Sequence, residues 1–151
     1  MINIDEIMNM LDWNNSDEIQ LKGIELAQEV KSINVFILPA NPGNTKNVWE
    51  NCAKILASKS DEILKPYLSR LLQWLEDLNW PGAAIILERL KNYSDTKRLS
   101  IIIKEFVKKA VAINDKMWLS SASEFLDSEE FKTFLPKDTR DILQNHYHNK
   151  D

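Results

Sequence analysis

The chain has one cysteine, Cys52, so it cannot build a disulfide framework, and that fits a reducing compartment. Its 2 histidines, His146 and His148, are two positions apart. Residues at that spacing do not share a helix face, and no cysteine or carboxylate joins them at zinc spacing, so no metal site and no cofactor are expected. Glycine (3) and proline (5) are scarce among 151 residues, which excludes collagen-like and linker-like chains. No apolar run approaches the roughly 18 residues of a membrane span. Asp5 and Glu6 stand where an export signal would carry positive charge. The expectation is therefore a cytoplasmic protein without a membrane segment. A basic surplus is also missing: 19 Lys and Arg face 23 Asp and Glu, a net charge of -4. A general nucleic-acid binder ordinarily carries the opposite balance.

Hydrophobic residues (44%) and charged residues (28%) are present in globular proportion, at a length suited to one domain, residues 1–151. The apolar positions repeat with helical spacing. Ser16 reads as an N-cap, with Asp17 and Glu18 at the positive end of the helix dipole. Ile19, Gly23, Leu26, Val30 and Ile33 follow as one stripe. Val35–Leu38 reads as a buried extended segment or a helical turn. Pro39, Pro42 and Gly43 mark a loop. Val48, Cys52, Ile55 and Leu56 share a face, and Ser60 caps the next helix, in which Pro66 marks a bend or a fresh start. Asn79-Trp80-Pro81-Gly82 breaks that helix. Later apolar sets run through Ile86 and Leu90, then Leu99, Ile103, Phe106 and Val107, then Met117, Trp118 and Phe125, and finally Ile142 and Leu143.

This pattern predicts an all-α fold. Short turns between helices predict antiparallel neighbours, stacked as hairpins in a HEAT-like α-solenoid; a compact irregular helical bundle is the alternative. Ser16-Asp17-Glu18-Ile19 returns as Ser60-Asp61-Glu62-Ile63, 44 residues later, a spacing that suits a HEAT-like period.

Charge is uneven along the chain. Residues 1–30 hold seven acids and one base, whereas residues 91–120 hold seven bases and three acids. The best anion-binding candidates are Lys97, Lys104 and Lys108 on one helix face, with Arg98 and Lys109 beside them. Cys52 lies on an apolar stripe and reads as an inert thiol rather than a nucleophile. Gly43-Asn44-Thr45-Lys46 lacks the second glycine and the preceding strand of a phosphate loop. The carboxylate pairs Asp61/Glu62, Glu76/Asp77 and Glu129/Glu130 are adjacent in sequence, and adjacent helix residues point about 100° apart and need not converge on one substrate. No catalytic residue is assigned. The five tryptophans read mainly as packing groups; Trp80 sits in a helix break, where capping is the first reading and a ligand-facing turn the second.

Trp49–Leu56, Ser60-Asp61-Glu62, Pro66-Tyr67-Leu68 and Leu71–Ala83 together resemble a bacterial family of small all-helical domains of unknown function. The hallmark of that family is a Trp-Leu-x-Asp-Leu/Met-Asn-Trp-Pro turn, and Asn114-Asp115-x-x-Trp118 resembles a later segment of it. The resemblance spans roughly residues 47–126. It implies a HEAT-like helical fold and no catalytic residues. The leading expectation is a non-enzymatic protein–protein interaction module, of accessory or immunity type, that binds another protein. Its contact surface is expected at Asp77, Asn79 and Trp80 and at Glu25 and Glu29. A nucleic-acid-binding helical repeat and an unrecognised hydrolase are the alternatives.

Overall fold

The structure, a computed structural model, describes residues 3–38 and 46–147; the loop expected at Pro39–Asn44 and the imidazole of His148 lie outside the described residues. Every regular element among them is helical: α1 (Ile4–Met10), α2 (Asp17–Ala27), α3 (Trp49–Ala57), α4 (Asp61–Leu64), α5 (Leu68–Gln73), α6 (Ala83–Lys91), α7 (Thr96–Ala112), α8 (Lys116–Ala122), α9 (Glu129–Phe134) and α10 (Lys137–Tyr147), with short 3-10 turns between several of them. The fold is all-α.

Local chemistry sets the helix starts. The hydroxyls of Ser16 and Ser60 accept from the backbone N–H of Ile19 and Ile63, each at 3.3 Å. Asp95 and Asp115 do the same for Arg98 and Trp118, at 3.1 and 3.0 Å. Each cap satisfies an N–H that has no partner within its helix. The two serine-capped stretches then diverge. Helix α2 runs for 11 residues, whereas α4 ends after 4 and gives way to a 3-10 turn at Lys65–Tyr67. Pro66 has no N–H for an i→i−4 bond, so the chain tightens there and restarts as α5. Val35 and Phe36 close a 3-10 turn, and Phe36, Ile37 and Leu38 are fully buried.

The stripe expected on α2 needs correction. Ile19 and Leu26 are exposed, and the buried members of the helix are Gly23 and Ala27. A Cβ on Gly23 would lie 2.9 Å from Met10 Cβ and 3.1 Å from Leu11 Cδ2. Small residues let α1 lie close against α2 along the Gly23–Ala27 edge, and Ile19 and Leu26, at i−4 and i+3 from Gly23, flank that contact and stay exposed. Met117, also expected inside, is exposed.

Helix directions differ from the antiparallel expectation in one respect. Gln20 near the start of α2 meets Asn51 near the start of α3, and Gln28 beyond its end meets Ser58. Gly82, which begins α6, lies against Trp49 and Ala53, while Arg89 near its end reaches the carbonyls of Ala57 and Lys59. Helices α2, α3 and α6 therefore run in the same direction, side by side. The connection from α2 to α3 is long enough to return the chain to the starting end. Helix α5 packs on α7, α7 on α8 and α9, and α10 on α8. The core between them holds Trp74, Phe125, Phe131, Leu56, Leu72 and Ile103, each essentially without solvent exposure. By transfer energetics each such side chain contributes about 1.5–3 kcal/mol.

Candidate functional site

The turn between α5 and α6 is fixed by contacts at every step. After the 3-10 turn Trp74–Glu76 the chain extends at Asp77, whose carboxylate accepts the Asn79 N–H at 2.8 Å. This is an Asx turn, the role short acidic side chains take where helices end. The Trp80 N–H donates to the Asp77 carbonyl at 2.9 Å, and the Ala83 N–H to the Trp80 carbonyl at 3.1 Å. The indole N–H of the buried Trp74 donates to the Pro81 carbonyl at 3.0 Å. Gly82 has φ +83°, and a Cβ there would stand 2.6 Å from Ala53 Cβ and 2.9 Å from the Trp49 carbonyl oxygen. Only glycine combines that backbone angle with that close approach to α3.

An aromatic cluster forms behind this turn. The Trp49 ring meets Trp74 edge-on, with centroids 6.0 Å apart, and Trp80 edge-on at 5.5 Å. The Lys46 ammonium lies 5.6 Å from the Trp49 centroid and 5.8 Å from that of Trp80. Trp49, Trp74 and Trp118 are buried, Trp80 is half-buried, and Trp13 is exposed. Packing thus accounts for most of the tryptophans.

Trp80 also faces an open cleft of about 390 Å³. One wall comes from the end of α5 and the turns after it, through Gln73, Glu76 and Trp80. The other comes from α7 and the start of α8, through Phe106, Lys109, Ile113, Asp115 and Trp118. Phe106 stacks on Trp118 with centroids 5.7 Å apart and planes 23° from parallel, and the Trp118 indole N–H donates to the Leu72 carbonyl at 2.9 Å. The Lys109 ammonium lies 5.7 Å from the Phe106 centroid. Sequence reading missed this cleft. Its signal was a shared spacing: Gln73, Glu76 and Trp80 fall at i, i+3 and i+7, and so do Phe106, Lys109 and Ile113.

The expected contact residues fall in two places. Glu25 and Glu29 are exposed near the end of α2, whose Gln28 amide oxygen accepts from the Ser58 hydroxyl and the Lys59 ammonium at the far end of α3. Asp77, Asn79 and Trp80 lie by Trp49 at its near end. Trp49 and Ala57 are about 12 Å apart along the helix axis at 1.5 Å per residue. The structure therefore does not bring the two sets together. The basic candidates also divide. Lys97, Lys104 and Lys108 share a side of α7 by helical spacing. Arg98 pairs with Asp95 at 3.7 Å, Lys108 pairs with Glu105 at 3.7 Å, and Lys109 belongs to the cleft.

Three groups have displaced acidities, and burial is the first cause in each. Burial pushes the Cys52 thiol up to about 12. Tyr93 is raised by burial and then by the negative charges of Asp61 and Asp95. Burial also raises Asp61, but hydrogen bonds from Ser94 and Arg89 and the guanidinium charge outweigh it, so its carboxyl is held below the usual range. Arg89 Nη2 also donates to the Lys59 carbonyl at 2.9 Å, and the Ser94 N–H donates to Asp61 at 3.0 Å. This network ties the end of α3 to the end of α6. Among the described residues, no three His, Cys, Asp or Glu side chains form a metal-ligand set, and no helix is long and apolar enough to cross a membrane.

Together these features define a helical domain organised around a tryptophan-locked turn, with a cleft at its side. The chain belongs to the family described as domain of unknown function (DUF5071), whose model matches residues 46–145. The match extends past the expected limit near residue 126 and takes in α9 and most of α10, consistent with the packing of α10 on α8. No curated protein and no solved structure matches the chain.

Proposed function

We propose that the chain is a non-enzymatic protein-interaction module of accessory or immunity type, acting in a bacterial cytoplasm, and that the outward face of α2 docks a basic partner protein. The observation that carries this reading is the composition of that face. Ile19 and Leu26, seven residues apart, are 43% and 37% exposed. The exposed carboxylates of Glu18, Glu25 and Glu29 flank them, the exposed Lys22 stands three positions after Ile19 and four before Leu26, and Trp13 is exposed in the turn that leads into the helix. Apolar side chains set among mostly acidic charges, three carboxylates against one ammonium, suit a protein interface, in which the apolar part supplies affinity and the charges select the partner and speed encounter. The complementary surface is basic with an apolar centre.

The side-by-side placement of α3 with α6 and of α5 with α7 supports a HEAT-like stacking of helix pairs, which presents rigid faces for binding. The groups with displaced acidities support a non-enzymatic role, because each is explained by packing or by a structural ion pair rather than by a facing acid–base partner. The ion pairs of Arg98 and Lys108 with their own helix neighbours weaken the case for a phosphate-binding face.

Affinity capture of the tagged chain from its host, with bound proteins identified by mass spectrometry, tests the proposal. One stoichiometric partner, absent when Ile19→Ser and Leu26→Ser are combined, is the expected result. A partner retained by that variant, or recovery of the chain alone, counts against it.

A further inference from the structure

The cleft carries charges of both signs, Lys109 against Glu76 and Asp115, that no ion pair among the described residues neutralises. Lys109 holds its ammonium over the Phe106 ring, and a ring fixes a cation without cancelling its charge. Glu76 reaches the cleft from the opposite wall. Among the described residues neither of them makes an ion pair. Asp115, a second carboxylate in the lining, accepts the Trp118 N–H as the cap of α8 and keeps its negative charge, which adds to that of Glu76. Between these charges the walls are aromatic: Trp80 on one side, the stacked Phe106 and Trp118 on the other. A volume of about 390 Å³ is at the small end for ligand sites, and it suits a guest of amino-acid size.

We propose that this cleft binds a small zwitterion, a free α-amino acid with an aromatic side chain. An anion alone would meet Glu76, and a cation alone would meet Lys109. A dipolar guest satisfies both walls. Its carboxylate pairs with Lys109, its ammonium with Glu76, and its ring packs against Trp80 and the Phe106–Trp118 pair. This inference is independent of the docking face on α2, because it uses none of that face's residues.

The test is a nuclear magnetic resonance titration of the whole chain with three probes: L-phenylalanine, 2-phenylethylamine, which lacks the carboxylate, and 3-phenylpropionate, which lacks the ammonium. L-Phenylalanine is expected to shift the Trp80 and Trp118 indole signals saturably, and each truncated probe to bind about tenfold more weakly, the loss of one charge-assisted contact. Lys109→Met should erase the preference over 2-phenylethylamine, and Glu76→Gln the preference over 3-phenylpropionate. Both side chains are exposed, so these variants keep the fold. The proposal is overturned if L-phenylalanine produces no saturable shift at millimolar concentration, if all three probes bind equally, or if the variants keep the wild-type preferences.

Discussion

The side-chain amide of Asn51 donates to the backbone carbonyl of Leu11 across 2.7 Å, joining positions 40 residues apart in a buried setting. The same amide group donates to Gln20 Oε1 at 2.9 Å, and the Gln20 amide in turn donates to the carbonyls of Trp13 and Asn15. The turn between α1 and α2 therefore has its polar groups satisfied by α3 and α2. This clasp holds the proposed docking helix on the family domain.

Removing the clasp leaves the Leu11 carbonyl buried without its partner. Asn51→Ala should lower unfolding stability by about 1–3 kcal/mol, the cost of an orphaned buried polar group. Urea denaturation followed by tryptophan fluorescence measures it. Asn51→Asp should cost more, since a carboxylate would face a carbonyl.

Gly82→Ala should destabilise by more than ~1 kcal/mol, because the new methyl meets Ala53 and the Trp49 carbonyl at a positive φ. Thermal melts of this variant and of Ala84→Gly, an exposed position on α6, separate the site-specific clash from ordinary helix propensity.

Asp61 gives stability a pH dependence. Its folded acidity lies below the unfolded value of about 3.9, so the contribution is fully present above that pH. It is lost as the pH falls from about 4 through the folded value. Asp61→Asn should be less stable at neutral pH, where the Arg89 pair is broken, and should show a shallower loss on acidification. Denaturant titrations from pH 7 down to pH 3 test both.

Cys52 has no solvent exposure, and burial raises its thiol to about 12. In the native chain it should not react with a thiol reagent at pH 8, and it should react stoichiometrically in denaturant. A fast native reaction would mean that α3 opens far more readily than its packing implies.

What the sequence disclosed was local. The caps at Ser16 and Ser60 depend on residues three positions away, and the break at Asn79–Gly82 on residues within the break itself. Cys52 and Ile55 could be placed in the core because their helix has one clear apolar face. Helix α2 misled, since its stripe through Ile19, Gly23 and Leu26 is buried only along the edge that Gly23 shares with Ala27. Which side turns inward depends on how closely α1 approaches, and no pattern within α2 encodes that. The Asn51–Leu11 bond, the parallel run of α2, α3 and α6, and the meeting of Glu76 with Lys109 across a cleft all join distant positions. Periodicity along one segment carries no record of them.

The most direct test of the central proposal is calorimetric titration of the captured partner, once purified, against the wild-type chain and the Glu25→Lys/Glu29→Lys variant at low and high salt. Wild type should bind a basic partner with affinity that falls as salt rises, and the charge-reversed variant should bind at least about tenfold more weakly at low salt, with little salt dependence left. Equal affinity and equal salt dependence for the two proteins would contradict the assignment of the α2 face as the docking surface.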